Sequence, residues 1–334
     1  MRRYVTYLTA LSILTLFASC TEEDHFIETG TSIVPNTEAM EEIAAQDKWI
    51  YQEMKLNYFW SDKMKDSSDY DYTLPPDQFF RTLIVEEDRF SYCYPNEDYR
   101  PATKGHNLNE TVKLDSIYVI GDKRIGYFYY SGFETEADVT DVILKMAGVD
   151  DLIIDVRNNP GGYVATCIYL SSIVAPKEVR GELFCTYKYN DRLSELYKKE
   201  TGSEYRCSYF RNDAIAANRS LNLSRVYILT GHRSASCSEL LINCLRPYMT
   251  VIVIGQTTTG KDVGMHPLSS RYCKYVLMPI TFRTYNAAGV PVPVTGIVPD
   301  ILYEEDSISG KIGDVNETLL GRAIEEITKT NNIK

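Results

Sequence analysis

A serine and a lysine stand at a spacing that could make them a nucleophile and its base. Residues 234–239 read SASCSE and lie between an apolar run and a helical segment, and Lys261 follows Ser236 by 25 residues. A serine hydroxyl attacks a carbonyl when a base takes its proton, and a neutral lysine can be that base. Burial among apolar groups lowers the pKa of a lysine toward the neutral form. The chemistry indicated is acyl transfer.

Two alternatives to this interpretation remain open from the residues alone. Serine is a good helix N-cap, and three serines in five residues suit capping as well as catalysis. A histidine base is the other alternative, with His232 and His266 as candidates. His232 precedes Ser236 by only four residues and shares its turn, which makes the histidine base the weaker hypothesis.

The loop that carries the lysine is similar to a phosphate-binding loop but departs from it at one position. Gly255, Gly260 and Lys261 have the phosphate-loop spacing. That loop needs Ser or Thr after the lysine, whereas this chain has Asp262. A carboxylate there repels phosphate, and Pro267 interrupts the helix that would follow. The sequence therefore argues against a nucleotide as partner.

A second glycine-containing turn follows another apolar strand. Residues 155–162 read DVRNNPGG and continue from the apolar run at 152–156. Glycines at such a turn leave backbone N–H groups exposed, and these amides can hold a developing oxyanion. A plain turn from strand to helix has the same spacing, and on spacing alone it is the stronger interpretation.

Repeated alternation of strands and helices predicts the elements that position these residues. Continuous apolar strands at 152–156, 226–229 and 251–254 alternate with helical segments. This pattern is typical of an α/β fold, a parallel sheet with covering helices. One helix and one strand separate Ser236 from Lys261, so the two loops can meet at the same edge of the sheet.

The chain divides into four parts by composition. Residues 1–19 have the layout of a signal peptide, 20–36 form a polar tether, 37–112 form an N-terminal helical region, and 113–334 form the core. Within the core, residues 176–224 are polar and tyrosine-rich without a clear period, and we interpret them as a cap-like insertion.

The N-terminal region is expected to contain two packing helices. A helical stripe runs from Thr37 to about Met64, and a second helix is expected to start after residues 75–77 and to include Phe79 and Ile84. Both helices are interpreted as packing elements rather than as carriers of chemistry.

The N-terminus predicts an exported, lipid-anchored protein. Arg2 and Arg3 precede an apolar run that ends in FASC at Cys20, and this run is too short to span a bilayer comfortably. Cys20 resembles the lipidated cysteine of bacterial lipoproteins of the Bacteroidetes type. That implies an outer-membrane lipoprotein of the cell envelope, periplasmic or surface-exposed. An ordinary signal peptide with a chance cysteine is the alternative.

Charge and cysteine usage exclude several kinds of partner. The net charge of −11 argues against nucleic acid or anionic lipid as the main partner, so membrane contact is expected only through a lipid anchor. The seven cysteines after Cys20 include no CxxC and no Cys/His pair with zinc spacing. Neither a metal nor a cofactor is expected.

Three motifs in order resemble peptidase family S41, the tail-specific or C-terminal processing proteases. They are LIIDVRNNPGG at 152–162, SASCSE at 234–239 and IGQTTTGK at 254–261. The resemblance covers roughly residues 40–330 and implies a ClpP/crotonase-like core.

The resemblance also implies a role for each site residue. Ser236 would attack a peptide carbonyl, and Lys261 would take its proton and pass it to the leaving amine. The oxyanion would be bound by the amide of Cys237 together with one amide of the glycine turn, from either Gly161 or Gly162.

Two departures from the family pattern limit what carries over. Many members have a glutamine that orients the lysine four residues after it, where this chain has Met265. That role is either empty or moves to Glu239, as in some relatives. The family's PDZ domain, which captures substrate C-termini, is missing because only about 25 residues separate Tyr92 from Ile117. The region at 176–224 is an alternative place for substrate binding.

The sequence therefore predicts a serine endopeptidase of the C-terminal processing type, acting on exported polypeptides without a cofactor. The alternative is a non-catalytic protein that binds peptides or a surface partner on the same scaffold. A buried Lys261 within hydrogen-bond distance of Ser236 favours the enzyme, whereas a lysine turned to solvent or paired with Asp262 favours the binding protein.

Overall fold

The computed structural model describes residues 37–96 and 111–329 of the chain. The predicted signal peptide at 1–19, the anchor residue Cys20 and the tether at 20–36 lie outside the described residues. Within the described ranges, no helix combines the length and the apolar character needed to cross a bilayer.

The described residues fold into helices and strands that alternate through most of the chain. The helices are α1 (Thr37–Asn57), α2 (Pro76–Thr82), α3 (Glu136–Lys145), α4 (Val164–Val174), α5 (Asp191–Thr201), α6 (Ala214–Arg219), α7 (Cys237–Leu245) and α8 (Thr318–Lys329). The strands are β1 (Tyr92–Pro95), β2 (Val112–Ile120), β3 (Lys123–Tyr130), β4 (Asp151–Asp155), β5 (Leu183–Lys188), β6 (Arg206–Tyr209), β7 (Arg225–Thr230), β8 (Thr250–Gly255), β9 (Val263–Met265), β10 (Tyr275–Met278), β11 (Ile280–Asn286) and β12 (Ile301–Leu302).

A six-stranded sheet forms the centre of the protein, in the order β12-β8-β7-β4-β3-β2. All neighbouring strands in it are parallel except β2 and β3, which form an antiparallel pair. The α/β fold predicted from the continuous apolar strands is therefore confirmed. The carboxyl ends of β4, β7 and β8 lie at one edge of this sheet. In that order they lead into the glycine turn (155–162), the serine turn (234–239) and the lysine loop (254–261).

Side chains alternate between the two faces of this sheet, and helices cover both faces. In β4, Leu152 and Ile154 belong to one buried cluster with α3, α4 and α7, whereas Ile153 belongs to another with α8. All three side chains are fully buried. A parallel strand covered on both faces has no solvated side, which explains the continuous apolar run in its sequence.

The N-terminal helices α1 and α2 pack against strands β9, β10 and β11 rather than against the central sheet. Apolar residues of α1 and α2 share one buried cluster with residues of β9, β10 and β11. The second predicted helix is present, but it ends at Thr82 and does not include Ile84 as predicted. The first helix, α1, ends at Asn57 and not at about Met64 as predicted. The helix ends there because Phe59 N–H donates to Ile280 O of β11 at 2.8 Å, a tertiary hydrogen bond that replaces the helical one.

A second, antiparallel sheet has the order β6-β5-β11-β9, and β1 pairs separately with β10. Residues 176–224, interpreted above as a cap-like insertion, supply β5, α5, β6 and α6. The edge strand β9 begins at Val263, two residues after Lys261. The lysine loop therefore runs directly from the central sheet into the second sheet.

Candidate active site

A cavity of about 400 Å³ lies where the serine turn, the glycine turn and the lysine loop meet. Ser236 and Lys261 both line it, and Met265, Met278 and Phe282 form part of its apolar wall. We call it the Ser236 cavity. Its described lining residues do not include any from 176–224, the region that the sequence offered as an alternative substrate site.

Ser236 lies at the junction of β7 and α7 with a backbone φ of +54°. Such left-handed values are unfavourable for a residue with a β-carbon and persist only where neighbouring contacts hold them. Here Ala235 N–H donates to Asn159 O at 3.1 Å, and Ser238 N–H donates to Ala235 O at 3.0 Å. These bonds hold Ser236 at the N-terminus of α7, where Ser236 lines the cavity.

The two neighbouring serines support the turn. Ser234 Oγ donates to Val156 O at 2.7 Å, and Ser238 Oγ donates to Asn159 O at 2.9 Å. Both serines are fully buried, whereas Ser236 is partly exposed. The structure therefore separates the motif into two packing serines and one that reaches the cavity.

The glycine turn after β4 lies directly against Ser236. A β-carbon at Gly161 would lie 2.7 Å from Ser236 Cβ and 3.0 Å from Cys237 N. Gly161 N–H already donates to Asn159 Oδ1 at 2.9 Å. Within the part of the chain that the structure describes, the amides of Gly162 and Cys237 donate to no acceptor. Of the two glycine amides left open by the sequence, that of Gly162 is available to an oxyanion.

Asn159 is a site residue that sequence reasoning did not single out. It is fully buried, and its Nδ2 donates to Tyr130 O at 3.1 Å, 29 positions away in the chain. Its backbone oxygen accepts from the Ser238 hydroxyl, 79 positions away. Asn159 thereby joins the glycine turn to the serine turn. Its place beside the two glycines was the one available signal.

Glu239 connects the serine turn to the lysine loop. Its Oε2 accepts from Ser236 N at 2.9 Å and from Lys261 N at 2.8 Å. Its Oε1 accepts from Gly260 N at 2.7 Å and from Thr258 Oγ1 at 2.5 Å. The carboxylate is fully buried, so these four donors replace the water that a charged group requires. Glu239 holds the backbone of the lysine loop rather than the ammonium group.

Replacing Glu239 with glutamine is expected to lower the free energy of unfolding by about 3 kcal/mol. The new amide NH₂ would face N–H and O–H donors in a buried site and leave at least one of them unpaired. Urea unfolding of wild type and variant would measure the loss. Glu325→Gln on α8 is the matched control, since its surface ion pair with Lys329 contributes little. Equal unfolding midpoints for Glu239→Gln and wild type would contradict this role.

Lys261 lies in a poorly solvated environment. Burial lowers the pKa of Lys261 from its ordinary value, and the acidic groups of Cys237, Asp88 and Glu239 partly oppose that shift. Its Nζ lies 5.2 Å from the centroid of the Phe90 ring. A lowered pKa brings the lysine closer to the neutral form that a general base requires.

The neighbouring Asp262 does not pair with the lysine. It forms a salt bridge of 2.7 Å with Arg283, and Lys261 forms none within the described ranges. The ion pair that would have favoured a non-catalytic protein is therefore not formed. The hydrogen bonds of the described residues do not include one between Ser236 Oγ and Lys261 Nζ. Such catalytic bonds often tighten only when substrate binds.

The segment before β1 also supports the lysine loop. Arg89 Nη2 donates to Gly260 O at 2.7 Å and to Val294 O at 3.2 Å. Met265, at the position where the family has its orienting glutamine, lines the Ser236 cavity with an apolar side chain. In this chain the loop is therefore held through its backbone, by Arg89 on one side and Glu239 on the other.

The two histidines offered as alternative bases lie elsewhere. His232 is exposed, and its Nδ1 is 3.0 Å from Thr257 O. His266 is stacked on Tyr189 with an interplanar angle of 10°. Neither ring lines the Ser236 cavity. Among the residues that the structure describes, no group of three or more His, Cys, Asp or Glu side chains is arranged to hold a metal ion.

The sequence matches two family profiles. Residues 124–303, more than half of the chain, match Peptidase family S41, and residues 45–92 match the Peptidase S41 N-terminal domain. The chain belongs to peptidase family S41. The family predicted from the three motifs is thus confirmed. In this S41 protein, β1 ends at Pro95 and β2 begins at Val112, which leaves no room between them for a PDZ domain.

Curated relatives of this S41 protein share part of its length. A protein of Staphylococcus aureus (strain COL) named "Probable CtpA-like serine protease" is 25% identical over 158 residues, which cover 46% of this chain and 28% of the relative. One of the same name from Staphylococcus saprophyticus is 27% identical over 164 residues, which cover 46% of this chain and 29% of the relative. The match therefore spans less than a third of either relative.

Solved structures share its fold over most of the chain. A candidate S41 protease from Bacteroides fragilis NCTC 9343 aligns with a TM-score of 0.71 at 21% identity, covering 84% of this chain and 97% of the other. A lipoprotein from Streptococcus agalactiae aligns with a TM-score of 0.55 at 13% identity, covering 90% of this chain and 99% of the other. At these identities the likeness shows the fold alone.

Proposed function

We propose that this S41 protein is a serine endopeptidase of the C-terminal processing type that cleaves exported polypeptides through a Ser236–Lys261 dyad. The observation that carries the proposal is that the backbones of both residues are hydrogen-bonded to the Glu239 carboxylate. Ser236 N and Lys261 N donate to the same oxygen of Glu239, at 2.9 Å and 2.8 Å. Their side chains line one cavity.

In the first half of the reaction, Ser236 Oγ attacks the carbonyl carbon of a peptide bond. Lys261 Nζ, neutral at that moment, takes the hydroxyl proton. The negative charge that forms on the carbonyl oxygen is stabilised by the amides of Gly162 and Cys237, which donate to no acceptor among the described residues. The two residues are in contact, since Cys237 Sγ donates to Gly162 O at 3.1 Å. The C–N bond then breaks, and Lys261 returns the proton to the leaving amine.

In the second half, water attacks the ester formed on Ser236. Lys261 takes a proton from this water, and the same two amides again hold the oxyanion. The ester C–O bond breaks, the proton returns to Ser236 Oγ, and the carboxylate product leaves. The cycle consumes one peptide bond and one water and requires no cofactor.

Digestion of casein, an unfolded polypeptide, tests the proposal. The purified protein without residues 1–19 should hydrolyse casein and should be labelled and inactivated by a fluorophosphonate, which reacts with activated serines. The alternative is a non-catalytic protein that binds peptides on the same scaffold, and it is supported by Met265 in place of the orienting glutamine. Binding of casein peptides without cleavage or labelling would favour that alternative.

We also propose that the protein is held at the outer membrane by a lipid on Cys20. The support is the apolar run followed by FASC at 17–20 and the acidic residues at 22–24. Cells given radiolabelled palmitate should incorporate label into the wild-type protein and not into Cys20→Ser. Label in Cys20→Ser at the wild-type level, or none in wild type, would overturn the anchor. Protease treatment of intact cells distinguishes a surface position from a periplasmic one.

A further inference from the structure

Glu134 places a carboxylate in the Ser236 cavity that the proposed mechanism does not use. It lines the cavity, and its side chain is partly exposed. Within the described ranges this carboxylate forms no salt bridge or hydrogen bond, whereas the backbone oxygen of Glu134 accepts from Thr166 Oγ1 at 3.3 Å. A charged group in a cleft, held by the fold and without a partner, is available to a ligand.

The backbone fixes Glu134 close to the reacting atoms. The preceding residue, Phe133, forms a parallel bridge with Gly162. Phe133 N–H donates to Gly161 O at 2.8 Å, and Tyr163 N–H donates to Phe133 O at 2.6 Å. Paired backbones lie about 4.8 Å apart, so Phe133 is the direct neighbour of Gly162, whose amide is proposed to bind the oxyanion. Glu134 is the next residue after Phe133.

No other fixed charge competes with Glu134 for a substrate side chain in this cavity. Among the described lining residues, the only other Asp, Glu, Lys or Arg is Lys261, which must be neutral to act as base. Arg283 pairs with Asp262 and Arg157 pairs with Glu317, both at 2.7 Å. Arg89, beside the lysine loop, donates to the backbone oxygens of Gly260 and Val294. The remaining wall is largely apolar. A net charge of −11 also attracts cationic polypeptides over a longer range.

We propose that Glu134 is a specificity-determining residue that binds a lysine or arginine side chain of the substrate next to the bond being cleaved. The inference rests on the proposed function and names its substrate class, which is polypeptides in which a basic residue adjoins apolar ones. Met265, Met278 and Phe282 contact the apolar neighbours. A charge-assisted hydrogen bond in a partly desolvated cavity is strong enough to discriminate about tenfold between a basic and a neutral side chain.

The test uses quenched peptides built on one sequence that the enzyme cleaves in casein. At each position from the third before to the third after the cleaved bond, lysine, norleucine and glutamate are compared. Wild type should show a kcat/KM at least about tenfold higher for lysine than for norleucine at one position, with glutamate lowest. Glu134→Gln should lose that preference, and Glu134→Lys should prefer glutamate there.

Glu136→Gln is the matched control, because Glu136 is two residues away and pairs with Arg211 outside the cavity. It should keep the wild-type preference. Equal rates for lysine and norleucine at every position in wild type would overturn the inference, as would a lysine preference that persists in Glu134→Gln. Absence of any casein cleavage by wild type would instead overturn the proposed function, so the two failures are distinguishable.

Discussion

Replacing Ser236 with alanine is expected to lower kcat/KM for peptide cleavage by about 10⁴-fold or more. The hydroxyl that forms the acyl-enzyme would be absent, while the oxyanion amides and the cavity would remain. Alanine meets the same backbone restriction as serine at a φ of +54°, so the turn should be kept. Cleavage of a quenched peptide measures the loss, and the variant should no longer be labelled by a fluorophosphonate.

His232→Ala is the control for the histidine alternative. His232 shares the turn with Ser236, but its ring is exposed and lies against Thr257 O at 3.0 Å. Its removal should change kcat/KM by less than about twofold, since exposed substitutions away from a site have small effects. Activity retained in Ser236→Ala would show that the nucleophile was assigned wrongly, and a total loss in His232→Ala would show the same for the base.

Replacing Lys261 with methionine is expected to reduce kcat by about 10³-fold to 10⁴-fold. Methionine keeps the apolar length of the side chain and removes the base. Lys261→Arg should be equally inactive, because a guanidinium stays protonated at every working pH. Lys145→Arg on α3, whose lysine pairs with Asp115 at 2.9 Å, is the control and should match wild type.

The pH dependence of wild type gives a second readout of the same lysine. Burial lowers the pKa of Lys261, and the active form is the neutral one that predominates above that pKa. Activity should therefore rise with pH through the lowered pKa and then level off. Initial rates with one quenched peptide from about pH 6 to 9 would measure this. A flat profile across that range would contradict the role of Lys261 as base.

The main elements of the central sheet and the order of the motifs could be predicted because each depends on a pattern of residues close together in the sequence. Continuous apolar strands such as β4 reveal a parallel sheet covered on both faces. Asp262 stands where a phosphate loop needs a hydroxyl, and the absence of a nucleotide partner stays a prediction from this residue type. Ser236 and Lys261 could be paired because one helix and one strand return the chain to the same sheet edge.

Other elements could not be predicted because tertiary contacts override local preference. The helical pattern of α1 continues past Asn57, but a hydrogen bond from Phe59 to β11 ends the helix. Residues 176–224 have no clear period, yet they form two strands of an antiparallel sheet. Of these two strands, β5 pairs with β11, and the paired residues Lys188 and Arg283 are 95 positions apart in the chain.

By itself the sequence determined the family, the α/β fold and the residue types present at the site, since each depends on residues close together in the chain. The tertiary structure decided which groups are available. The Gly161 amide donates a hydrogen bond to Asn159 Oδ1, whereas the Gly162 amide has no acceptor among the described residues. The Glu239 carboxylate accepts hydrogen bonds from backbone amides of the lysine loop rather than pairing with the Lys261 ammonium group. Hydrogen bonds between residues distant in the chain make these assignments, and no local pattern encodes them.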